Sequence, residues 1–259
     1  MKLTHTLAAA AAFAALSAPA LANIKAVNAG QSEIFLVVGD QNGSFMLDTG
    51  VTLGAMLNSP VSFSRSVASA AWTSYTAVDT NLFDGASNSN SGTRWALFVY
   101  DGSSESDYSL QQVLTTLGKG LTASSITFDA LTMNTAWGAT GNLGQQANGT
   151  GTHPTQANGS SFNPQGTTGF AGPNFFKFGG ANVFIGNKVG DSSSLFLIKG
   201  DADLFDDPLA TVITSKTGLT ASFDGQTLSV TAAVPEPESY ALMAAGLAVV
   251  GFIARRRRA

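Results

Sequence analysis

Cysteine is absent from the 259 residues, which excludes disulfides, thiolate nucleophiles and zinc–thiolate sites together. Histidine is almost as scarce, His5 and His153 being the two present. A metal site with several histidine ligands cannot be assembled from them, and a Ser-His-Asp triad would have to use His153 alone. Charged residues make up 12% of the chain. Residues 23–233 hold 8 Lys+Arg against 15 Asp+Glu, and Arg65 and Arg94 are their only arginines. An acidic segment so poor in arginine does not suit a phosphate backbone, so nucleic acid is not an expected partner.

What is plentiful is Gly, at 28 residues, together with Ser, Thr and Asn, a mixture that suits an exported, turn-rich β domain better than a helical bundle. Short apolar runs bounded by turn residues carry the pattern. Ile34 to Val38 and Ser44 to Leu47 flank Gly39-Asp40-Gln41-Asn42-Gly43, a hairpin signal. Trp95 to Tyr100, Phe175 to Phe178, Val183 to Ile185, Leu195 to Ile198, Thr211 to Thr214, Leu219 to Phe223 and Thr227 to Val230 read as further strands, the last two joined at Asp224-Gly225. Ser66 to Tyr75, Leu110 to Leu117 and Ser125 to Trp137 fit strand or short helix. The expected fold is mainly β, a β-sandwich-like domain with a few short helices.

Both ends of the chain read as addresses. Residues 1–22 have Lys2, an Ala-rich apolar stretch from Leu7 to Leu16, and the small-x-small cleavage pattern of Ala20-Leu21-Ala22. That is the layout of a signal peptide handed to the Sec export machinery. Residues 234–259 hold Pro235-Glu236-Pro237, the apolar run from Tyr240 to Ala254, and Arg255-Arg256-Arg257-Arg258. The prolines stop any element before the run. Fifteen helical residues rise about 22 Å, short of the roughly 30 Å hydrocarbon core. The arginines act as a cytoplasmic stop and leave residues 23–233 on the far side of the inner membrane. Small residues (Ala241, Ala244, Ala245, Ala248 and Gly251) admit a close partner helix. The predicted transmembrane helix, with Tyr240, Leu242, Gly246, Leu247, Val250 and Ala254 along it, is a handle to be gripped and processed.

Through Pro235-Glu236-Pro237, the apolar segment with Gly246-Leu247 and the arginine cluster, the chain resembles the PEP-CTERM sorting proteins of Gram-negative bacteria. The same region has been labelled "ice-binding protein C-terminal domain". The resemblance implies an exosortase as partner, a membrane protease cutting near the motif and passing the body to the cell surface, in cells that make exopolysaccharide and biofilm matrix. The body also resembles, loosely, the β-rich exported domains that this tail carries, through Glu33 to Val38 and Trp95-Ala96. Ice binding itself would require a long regular threonine array, which Thr211, Thr214 and Thr217 do not extend into.

Residues 138–174 contain nine Gly and three Pro and no Asp, Glu, Lys or Arg. They read as a long surface loop, with Gln146-Ala147-Asn148-Gly149 echoed by Gln156-Ala157-Asn158-Gly159. His153 inside it is expected to face solvent.

Four constellations could carry chemistry. Asp48-Thr49-Gly50 looks like the active-site strand of an aspartic protease, a chemistry that needs two carboxylates sharing one proton. No second Asp-Thr-Gly or Asp-Ser-Gly occurs, and Asp48 is expected to close a strand at a turn. Asp101, Ser103, Glu105 and Asp107 space oxygens like half an EF-hand loop but lack its central Gly and final Glu. Asp201, Asp203, Asp206 and Asp207 form a second acidic turn, making Asp101, Asp107, Asp201 and Asp203 weak calcium candidates beside an expectation of no metal or cofactor. Trp72, Trp95 and Trp137, with Tyr75, Tyr100 and Tyr108, would serve either as core or as a platform for sugar rings. With no complete catalytic set, the leading expectation is a non-enzymatic surface or matrix protein. A carbohydrate-binding module is the alternative, and an aspartic-protease-like enzyme the third reading.

Overall fold

The computed structural model describes residues 32–86, 91–102, 111–122, 143, 150–153, 156, 158–180, 184–199, 213–232 and 245–247. Residues 1–22 (expected as a signal peptide), the Pro-Glu-Pro motif and arginine cluster, Asp107, Tyr108, Trp137, Asp201 and Asp203 lie outside them.

Ten strands are described: β1 (Glu33–Gly39), β2 (Gly43–Thr52), β3 (Phe63–Ser66), β4 (Arg94–Gly102), β5 (Gln111–Thr116), β6 (Ser160–Pro164), β7 (Asn187–Lys188), β8 (Ser192–Lys199), β9 (Ile213–Phe223) and β10 (Thr227–Ala232). They form a single antiparallel sheet in the order β3-β10-β9-β8-β5-β4-β1-β2-β6, with β7 beside β4. The mainly-β expectation holds, in the form of one sheet that curls on itself. Two short helices, α1 (Leu53–Asn58) and α2 (Ala70–Val78), sit in its early half. Thr52 caps α1 by accepting from Ala55 N at 3.2 Å, and Ser69 caps α2 by accepting from Trp72 N at 3.1 Å.

The curl follows from where the apolar residues fall. Ile34, Leu36 and Val38 of β1 lie on the face that also carries Phe45, Leu47, Leu97, Leu114, Leu197, Ala221, Phe223 and Val230. That face closes around α1 and α2. Trp72 of α2 sits 4.9 Å from the Phe45 ring on β2 and 5.7 Å from Phe223 on β9, two strands far apart in the sheet order. Arg65 on β3 donates from Nε to Thr49 O of β2 at 2.8 Å, drawing one end of the sheet toward the other. Over β1 and β4 the opposite face is covered as well. Phe35 packs on Phe98 at 5.7 Å, and Phe98 on Phe175 at 5.6 Å. Strand β1 is therefore buried on both sides, which is why Ile34 to Val38 is an unbroken apolar run rather than an alternating one.

Hairpin chemistry is where the sequence places it. Asp40 closes the β1–β2 turn by accepting from Asn42 N at 2.8 Å and Gly43 N at 3.0 Å. Asp224 does the same between β9 and β10, accepting from Gln226 N and Thr227 N at 2.8 and 2.7 Å, which holds its carboxyl below the usual range.

Several elements differ from expectation. The described part of Thr211 to Thr214 is continuous with Leu219 to Phe223: residues 213–223 run as the single strand β9, whose pairing with β8 slips between Ser194 and Phe196. Of Leu110 to Leu117, residues 111–116 form strand β5, while Ser66 to Tyr75 gives the end of β3 and most of α2. Phe175–Gly180 is a 3-10 helix rather than a strand, because its rings pack on the sheet face and on each other instead of pairing along an edge. Within the segment expected as a loop, residues 160–164 form β6, paired to β2 from Gly43 to Leu47.

Candidate functional site

Asp48 lies within β2, opposite Phe35, and is completely buried. It does not end the strand. Gly50 takes φ +66°, bending the chain while pairing continues to Thr52, and an added Cβ there would meet Asn158 Oδ1 at 2.5 Å. Thr49 steadies the bend by donating to Ile34 O at 2.6 Å. Asp48 Oδ1 accepts from Gly50 N at 2.8 Å, and Oδ2 has no hydrogen-bond partner. Burial pushes this carboxyl up to about 7; the Gly50 N–H opposes the shift, the Glu33 charge adds to it, and Arg65 opposes it.

His153, expected in solvent, is completely buried as well. The reason is β6, which brings the preceding turn against the sheet: Thr152 N donates to Ser160 O at 2.9 Å. Gly159 joins the two sites. Its carbonyl accepts from Asp48 N at 2.9 Å, and a Cβ on it would fall 2.4 Å from the His153 Cα. His153 Nε2 shares a hydrogen bond with Ser161 Oγ at 3.2 Å, and Asn163 Nδ2 donates to the same oxygen at 3.3 Å. Nδ1 has no partner, so no carboxylate orients the ring as a triad requires. Burial lowers the imidazole to about 4, which keeps it neutral near pH 7. Ser161, also fully buried, cannot be reached by a substrate in this arrangement.

An acidic cleft of about 350 Å³ opens between the β1–β2 turn and the end of α2, lined among others by Asp40, Asn42, Val78, Asp79, Asn81 and Asp84. Its carboxylates are held by neutral donors. Asn42 Nδ2 donates to Asp40 Oδ2 at 2.7 Å, and Tyr75 OH donates to Asp79 Oδ2 at 2.9 Å. The Thr93 hydroxyl donates to that same Asp79 oxygen, while Asn81 N donates to Oδ1 at 3.1 Å and Thr93 N to Asp84 Oδ1 at 2.9 Å. Burial, with the neighbouring Asp79 charge, raises the Tyr75 hydroxyl far above its ordinary value. Arg94 lies buried nearby with its guanidinium 5.3 Å from the Phe176 ring; desolvation lowers its pKa, and Asp40, Tyr75 and Asp84 oppose that. The sequence marks Asp40 as a turn residue and gives no signal for Asp79 and Asp84. Residues 40, 79 and 84 share no local motif, so only the fold could unite them.

Among the described residues, the remaining candidates do not assemble. Trp95 and Tyr75 are completely buried, Tyr100 is 4% exposed, and the half-buried Trp72 packs against the core, so these rings serve as core. Asp101 is buried and accepts from Ser32 Oγ at 3.3 Å. Among the described residues no three His, Cys, Asp or Glu side chains are placed to hold a metal ion.

The last described strand runs to Ala232, and residues 233–258 match the PEP-CTERM protein-sorting motif. The chain carries a PEP-CTERM sorting tail. No curated protein and no solved structure matched the chain. The PEP-CTERM motif marks an exported protein, anchored at the membrane for sorting and processed by an exosortase, a membrane protease. Of the apolar run, Ala245, Gly246 and Leu247 are helical and exposed, Leu247 at 67%. Among the described residues no helix is long and apolar enough to cross a membrane.

Proposed function

We propose that the body is a non-enzymatic cell-surface or extracellular-matrix protein of a Gram-negative bacterium. It leaves the cytoplasm by its leader through the Sec machinery, is held briefly at the inner membrane, and is freed by exosortase to act in the exopolysaccharide-rich matrix. The observation carrying this reading is the PEP-CTERM match over residues 233–258. The buried state of Asp48, His153 and Ser161 supports a structural body, since a catalytic group must reach its substrate. The same burial weighs against the aspartic-protease reading of Asp48, and the core position of Trp72, Trp95 and Tyr75 weighs against a sugar platform built from them.

The test is processing in cells that make the matching exosortase. With Pro235-Glu236-Pro237 replaced by alanines, a full-length species should stay in the inner-membrane fraction. The parent chain should yield a shorter surface product without Arg255 to Arg258, identified by mass spectrometry. Recovery of surface protein that still ends in the four arginines would overturn the reading.

A further inference from the structure

Strand β10 is an inner strand, paired to β9 on one side and to β3 on the other, and it stays paired to its last residue, Ala232, which faces Leu219. Ala232 N also donates to Ser62 Oγ at 3.0 Å. Ala233 and Val234 alone separate this anchored residue from Pro235. Eight residues lead from Ala232 to Tyr240, where the apolar run begins. Fully extended they span about 29 Å at most, so the folded body is tethered close to the membrane whatever path they take. A protease gripping several residues of extended chain at Pro235-Glu236-Pro237 must therefore meet the end of the sheet itself.

The rim at that end has a consistent character. Pro60, Val61 and Ser62 are exposed beside Ala232, Val61 at 45%, and exposed Gly218 precedes the Leu219 that pairs with it. None of these residues carries a charge. A membrane-embedded partner presents a poorly solvated surface, against which an unpaired charge is expensive to bury.

We infer that this rim, Pro60 to Ser62 with Gly218 and Ala232, is a docking surface for the exosortase, and that the enzyme cuts the tail while seated on the folded body. Processing at the motif is the premise, and the alanine variant of Pro235-Glu236-Pro237 controls for it. The occupant is the protease because the tether is too short for it to act elsewhere.

The test follows the processed fraction of the full chain, co-produced with the exosortase, for P60E and V61E beside the neutral V61T. Either charge should slow processing about tenfold or more, while V61T is cut like the parent. A nine-residue Gly/Ser insert between Ala233 and Val234 should restore cutting of both charged variants, since it lets the protease work clear of the rim. Cutting of P60E and V61E at the parental rate, with the alanine variant still blocked, would overturn the inference and leave the sorting reading intact. So would a defect that the insert does not relieve, because it would mean a damaged fold rather than a lost contact. Cutting of the alanine variant would instead remove the premise, and with it both readings.

Discussion

The buried pair Asp48 and His153 makes stability depend on pH in opposite senses. Unfolded, Asp48 titrates near 3.8; folded, it holds its proton to about 7. Between these values the native state binds the extra proton, so stability falls as pH rises, by about 1.4 kcal/mol per unit and about 4 kcal/mol in all. His153 goes the other way. Its folded value near 4 lies below the unfolded 6.5, so the unfolded chain binds the extra proton and stability rises with pH across that window, by about 3 kcal/mol. From pH 4 to 6.5 the two slopes nearly cancel, and their sum is close to flat. D48N removes one of them. Its stability should climb by about 3 kcal/mol over pH 4 to 6.5, and relative to the parent it should gain about 4 kcal/mol between pH 4 and 8. The new amide nitrogen finds no acceptor where Oδ2 had no partner, which lowers stability at every pH by a similar amount and leaves the slope untouched. H153Q should show the mirror image, losing stability as pH rises through that range. Urea denaturation of the processed protein at half-unit pH steps reads both. Parallel profiles for D48N and the parent would refute the reasoning, since they would mean that Asp48 titrates alike in both states.

Two further outcomes follow. Gly159→Ala forces a Cβ to within 2.4 Å of the His153 backbone, and should lower stability by about 3 kcal/mol or more through the overpacking it causes, seen as a drop in the urea midpoint. Millimolar calcium, or EDTA, should leave Tm within about 1 °C of the untreated value; since a ligand held at 100 times its Kd adds about 2.7 kcal/mol, a rise of several degrees would show that a calcium site exists.

Much of the sheet could be read from the chain because its signals are local. The β1–β2 and β9–β10 hairpins announce themselves by Asp and Gly between apolar runs, and Trp95 to Tyr100 by its aromatics. The sorting tail is legible for a different reason: prolines, greasy residues and arginines in that order have a meaning set by the membrane, not by the fold. What stayed hidden is non-local. Ser160 to Pro164 has one large apolar residue, Phe162, and becomes a strand because β2 offers it an edge. His153 is buried as a consequence, although its Gly-rich neighbours point to solvent. Phe175 to Phe178 has strand composition, but its rings are needed as a lid over Phe98, which a 3-10 turn supplies. The acidic cleft draws on residues 40, 79 and 84, which no periodicity connects.

The interior placement of β10 also sets a timetable. Strand β3, at residues 63–66, has β10 as its only sheet neighbour among the described residues, and that neighbour arrives some 160 residues later. Closing so long a loop comes late in folding. On the export route proposed above, the sheet would lack an inner member until Thr227 to Ala232 had left the cytoplasm. The body would then stay pliable for as long as a narrow channel requires, and lock only as those residues emerge.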